Sequence, residues 1–150
     1  LEKRLESTMN ILKSLLFACA FSFLLSTMAS ADEAKEKKVQ GIHKAIDRCI
    51  EFLEKRDYEG FIDKATHPSI VKDIKESDEY LKKYIDGHKR HRDEILAAMK
   101  SAKKMDPIFR KSADPKEEKA IFIFEKSVFK DRDVKLMQFL DRDGVWYFLD

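Results

Sequence analysis

The chain has 150 residues, of which 30 are Lys or Arg and 28 are Asp or Glu, for a net charge of +2. Acids are interleaved with bases throughout: Lys89-Arg90-His91-Arg92 and Lys103-Lys104, the densest basic spots, are flanked by Asp86, Asp93, Glu94 and Asp106. A nucleic-acid surface needs clustered positive charge and is not expected; of the two cysteines, Cys19 falls in the N-terminal segment read below as a cleaved signal, and Cys49 alone makes no disulfide scaffold within one chain.

Leu1–Thr8 are charged and precede Met9, and we read Met9 as the first residue, with 1–8 a start placed too far upstream. From Met9 a lysine at Lys13 leads into the apolar run Leu15–Leu25, then Ala29-Ser30-Ala31 and the acidic pair Asp32-Glu33. A positive start, a short apolar core and small residues in an Ala-x-Ala pattern are the three parts of a secretory signal peptide. The run falls short of the roughly 20 residues that cross a bilayer. Cys19 does not read as a lipidation site, because Phe17 stands where a small residue is needed. The expectation is cleavage after Ala31, a secreted or periplasmic product and no membrane span left behind. Cleavage removes three basic and two acidic residues, so the net charge of the 119 residues that remain falls to +1. That length suits one domain, placed at 39–150.

Asp32–Lys38 is charged. Val39, Ile42, Ile46, Cys49, Ile50 and Leu53 then recur at the spacing of an amphipathic helix that ends near Lys55-Arg56. Cys49, on its apolar side, reads as a small core hydrophobe. Asp57 caps a shorter helix with Phe61, Ile62 and Ala65 on one face, broken at His67-Pro68. Ile70–Ile74 is ambiguous between helix and strand. Ser77-Asp78-Glu79 opens a long helix whose apolar period runs from Leu81 to Ala102. Beyond Pro107 the period changes. Ile108–Arg110, Lys119–Glu125, Val134–Leu140 and Val145–Leu149 are rich in β-branched and aromatic residues and read as strands. Asp141-Arg142-Asp143-Gly144 is a hairpin turn.

Helices first and an antiparallel meander after define an α+β domain: two or three N-terminal helices on a curved antiparallel sheet of three to four strands. Ile121–Phe124 and Val145–Leu149 are apolar on both faces, and the second face calls for cover by another copy of the chain, a homodimer through the sheet. Two segments, Ala45–Phe61 with its Asp57 turn and Trp146–Leu149 after a glycine turn, carry a resemblance to the NTF2-like superfamily across nearly all of 39–150. The resemblance implies helices closing over a strongly bent sheet around a pocket; a cystatin-like arrangement is the competing fold. Members of the family include isomerases, dehydratases and non-catalytic binding domains, so fold does not decide activity.

No Gly-rich phosphate loop, nucleophile elbow, His-Glu-x-x-His or Cys-x-x-Cys occurs, so no cofactor is implied. His67 with Asp63, or His88, are the candidate acid–base groups. Tyr80, Tyr84 and His88 recur at four-residue steps and, with Trp146 opposite, are candidates to line a ligand pocket. His88, His91 and Glu94 suggest a metal set, but nothing else is spaced to complete it, and no metal is expected. The reading is an exported domain that binds a small molecule or peptide, or serves as an interaction module, without catalysis. The alternative is a small acid–base enzyme of isomerase or dehydratase type.

Overall fold

The computed structural model describes residues 32–131 and 133–149; the expected start and signal segments, 1–8 and 9–31, lie outside them. The chain divides into two compact units, Leu1–Lys38 and Val39–Asp150. In the first, residues 32–38 are helical and exposed, with a Lys37–Glu33 ion pair one turn apart at 2.9 Å.

The second unit opens with α1 (39–55), whose Ile42, Ala45, Ile46, Cys49 and Leu53 are all buried. Arg56 ends it in the left-handed region at φ 58°. The Asp57 N–H donates to Phe52 O at 2.9 Å and the Arg56 N–H to Leu53 O at 3.2 Å, the paired bonds that satisfy a helix's last carbonyls. Asp57 then caps α2 (Tyr58–Ala65) by accepting the Gly60 N–H at 2.9 Å.

Pro68 occupies the first position of α3 (Pro68–Lys75), where its missing N–H costs nothing. Ile70–Ile74 is therefore helix. Ser77 caps α4 (Asp78–Arg90), and α5 (Arg92–Ala102) follows after a one-residue break at His91, φ −102°, ψ 14°. There the Arg92 side chain donates from Nε to Leu53 O at 2.8 Å, tying the start of α5 to the end of α1.

Four strands, β1 (Ile108–Lys111), β2 (Glu118–Ile123), β3 (Leu136–Arg142) and β4 (Val145–Leu149), form one antiparallel meander in chain order. Asp143 (φ 56°) and Gly144 (φ 80°) make the β3–β4 turn, the doubly positive pair of a two-residue hairpin. The inner face carries Ala120, Phe122, Met137, Phe139, Trp146 and Phe148, which share one core with α1, α2 and α5. Phe139 meets Phe122 and Phe148 edge-on at 6.1 and 5.7 Å. Each such buried aromatic contributes roughly 1.5–3 kcal/mol.

The outward edge of β4 is blocked. His67 N–H donates to Phe148 O at 2.9 Å, and the Arg48 guanidinium donates to Trp146 O at 2.6 Å. Arg48 also lies 5.4 Å from the centre of the Tyr147 ring.

Two expectations are corrected. Among the described residues of the second unit the architecture is five discrete helices with a four-stranded sheet, and not two or three helices on a curved sheet. Pro68 turns an ambiguous segment into α3, and His91 divides the expected long helix. The sheet is also open and uncurled: β1 and β4 are its two ends and do not pair with each other. An NTF2-like cone needs a strongly bent sheet, so that resemblance does not hold for this fold.

Candidate functional site

α4 is a polar helix with one buried residue, His88. Its imidazole stacks 4.3 Å from Tyr84 and 5.0 Å from Phe61, centre to centre. Nδ1 lies 3.0 Å from Tyr84 O. A carbonyl only accepts, so Nδ1 carries a hydrogen. A helical carbonyl therefore sets the tautomer.

His88 and Tyr84 line a cavity of about 220 Å³ with Gly87, Ile95, Phe129, Met137 and Phe148 among its walls. An apolar cavity of about 150 Å³ takes up benzene; this one holds a single ring with substituents and is too small for a dinucleotide or flavin. Lys83 stands at its margin, paired with Glu79 at 2.8 Å. One wall comes from the β2–β3 connection, through Val128, Phe129 and Val134. It is held by the Phe124 N–H on Lys135 O (2.9 Å) and the Val134 N–H on Ser127 Oγ (2.9 Å).

The other candidates fall elsewhere. Tyr80 is 59% exposed and lies outside this cavity, in a shallow depression with Asp73 and Ile74. Trp146 is buried, 6.0 Å from Phe109 and close enough to Gly41 that an added Cβ there would meet its Cδ1 at 3.0 Å. Phe148, two residues on along the same face, takes the cavity position foreseen for Trp146. Asp63 pairs on the surface with Lys75 at 2.7 Å.

His67 is 2% exposed and caps α3. Its Nδ1 lies 2.7 Å from Ser69 Oγ and accepts the Ser69 N–H at 3.4 Å, while Nε2 faces Glu117 Oε1 at 3.5 Å. With Nδ1 accepting, the ring hydrogen sits on Nε2 and points toward the Glu117 carboxylate, at an ion-pair distance rather than a hydrogen-bond one. Burial pushes the imidazole below its usual range; the Glu117 carboxylate pulls it back up, and Arg142 adds to the lowering. Glu117 has no motif to announce it, being 50 residues away in sequence.

At the α4–α5 junction, His91 Nδ1 lies 2.9 Å from Glu94 Oε2, and His91 Nε2 lies 3.6 Å from Asp131 Oδ2. One donor atom from each residue lies within 4.8 Å of the other two. The sequence places His91 and Glu94 on adjacent turns; the third member comes from the β2–β3 connection, and no spacing rule reaches it.

Cys49 is buried in the core, and burial pushes its thiol up to about 12. Comparison of the chain with protein-family models, curated proteins and solved structures finds no match. Among the described residues no helix is long and apolar enough to cross a membrane.

Proposed function

We propose that this protein takes a small, mainly apolar molecule into the cavity between α4 and β3 and moves a proton on it through His88, as a small isomerase or dehydratase does. The observation that carries the reading is the meeting of His88 and Tyr84 in one cavity. With Nδ1–H held by Tyr84 O, Nε2 is the nitrogen suited to act as base. The tyrosine hydroxyl offers a polar tip to orient a carbonyl.

The test uses a small aromatic ketone, acetophenone, in D2O. Proton NMR follows exchange of its α-hydrogens, and amide shifts at Gly87, Ile95 and Val128 report binding. The expected result is binding with accelerated exchange, lowered roughly 100-fold in His88→Gln. Binding without acceleration returns the reading to a non-catalytic binding module, which the apolar walls also support. Unmoved amide shifts at millimolar ketone defeat both.

The same reading includes a homodimer through the outer face of the sheet. In register there stand Ile108 beside Ile121, and Ile123 beside Leu136; Ile108, Ile123 and Leu136 are 40%, 52% and 48% exposed. A clean monomer at micromolar concentration by sedimentation sinks this part; a dimer that Leu136→Asp dissociates supports it. For export, residues 9–31 act as the cleaved signal. A product recovered outside the host cytoplasm should begin at Asp32, and one that still begins at Met9 defeats the idea.

A further inference from the structure

We propose that His91, Glu94 and Asp131 form a binding site for one zinc-class divalent cation, which ties the β2–β3 connection to the start of α5. The proposal stands independently of the proton-transfer reading. Its ground is the convergence of donors from two separate elements on one spot, His91 and Glu94 from the α4–α5 junction and Asp131 from the β2–β3 connection. One imidazole meets two carboxylates, with Nδ1 2.9 Å from Glu94 Oε2 and Nε2 3.6 Å from Asp131 Oδ2. The imidazole and the Glu94 carboxylate are largely buried, so the donor set is held by the fold at its inner side and open to solvent at Asp131.

The distances suit a metal. One donor atom per residue falls within 4.8 Å of the others. Tetrahedral zinc at about 2.1 Å from each ligand sets ligand atoms about 3.4 Å apart. His91 Nε2 and Asp131 Oδ2 are already near that, at 3.6 Å. Asp131 is exposed, on the solvent side of the cluster. One imidazole and two carboxylates favour zinc over calcium or magnesium, which take oxygen donors. Three protein ligands leave a fourth position for water.

The surroundings are arranged to hold the ligands. Glu94 Oε1 accepts the Lys130 N–H at 3.3 Å, which orients the carboxylate so that Oε2 faces His91. The Phe129 ring stands edge-on to His91 at 5.1 Å. Phe129 and Val128 both line the cavity, so a cation here would fix one of its walls.

The test titrates zinc into the tag-free full chain against a chromophoric chelator, with cobalt(II) absorption to report coordination number and amide exchange to report the 125–131 segment. The expected result is one equivalent bound, a cobalt band of four-coordinate intensity, and slowed exchange in 125–131. Affinity should fall roughly 100-fold in Asp131→Asn and in His91→Gln, and stay unchanged in His43→Gln. Asp131 is on the surface, so its variant keeps the fold, and matched circular dichroism checks this. Any of three results overturns the proposal: no uptake at millimolar zinc, retained affinity in both ligand variants, or an equal loss in His43→Gln.

Discussion

Gly60 and Gly87 both lie in helices, and the structure gives their replacement by alanine opposite signs. Alanine gains about 1 kcal/mol over glycine in a helix interior. A Cβ on Gly87 meets nothing within 4 Å, so Gly87→Ala should stabilise by roughly 0.5–1 kcal/mol. A Cβ on Gly60 falls 2.7 Å from Asp57 Cγ and 2.7 Å from Phe52 Cε1, nearer than packed carbons can stand. Asp57 must then release the Gly60 N–H it caps, which costs about 1 kcal/mol. Moving the half-buried Phe52 ring adds about 1–3 kcal/mol. Set against the propensity gain, Gly60→Ala should lose roughly 1–3 kcal/mol net. Equilibrium urea unfolding followed by the fluorescence of Trp146, the only tryptophan, measures both variants. An unchanged m-value keeps the comparison to the folded state. A Gly60→Ala protein as stable as the parent, or a Gly87→Ala protein less stable, would refute the steric reasoning.

Three further outcomes are expected. Because His67 is held below its usual range in the fold, the unfolded chain takes up its proton first as pH falls. Its stabilising contribution is therefore full above pH about 6.5 and is lost as pH drops below that value. Denaturation at pH 7.5 and 5.5 should show a smaller loss for His67→Gln than for the parent, and equal losses would contradict this. Cys49, with its thiol pushed up to about 12 by burial, should resist a thiol reagent at pH 8 until the protein is unfolded; mass spectrometry of the Cys49 peptide reads this out. Gly87→Leu should fill part of the cavity and abolish the acetophenone-induced shifts at Ile95 and Val128 while the melting temperature stays near the parent's. Undiminished shifts would remove Gly87 from the cavity wall.

The local signals were legible in the sequence. The buried face of α1, the Asp57 cap and the Asp143-Gly144 hairpin each depend on residues within one or two turns. The break at His91 was not legible, because apolar spacing runs through it from Tyr84 to Met99. It coincides with contacts to Leu53 and Asp131, made 39 and 40 positions away. The sheet's openness was hidden for a related reason. Strands apolar on both faces ask for two covers, but do not say whether one cover is the sheet's own curvature. For the candidate site, the four-residue step between Tyr84 and His88 gave the pair that lines the cavity. The step from Asp63 to His67 led nowhere comparable, because α2 stops at Ala65 and Thr66 is extended at ψ 149°. His67 is thereby turned away from its own helix and toward Glu117.

The blocked rim of β4 governs how copies of this chain can meet. Arg48 and His67 occupy the carbonyls of Trp146 and Phe148, so no foreign strand can add there without displacing them. The opposite rim, β1, is only four residues long and ends in Arg110-Lys111, a charged, short margin that discourages pairing. Growth strand by strand, the route to an endless fibril, is therefore obstructed at both ends. In the proposed dimer the apolar outer face would meet its own copy across a two-fold axis, and a face used in that way is used up in the act. Such a pairing would stop at two copies, a safeguard for a sheet this rich in isoleucine and phenylalanine.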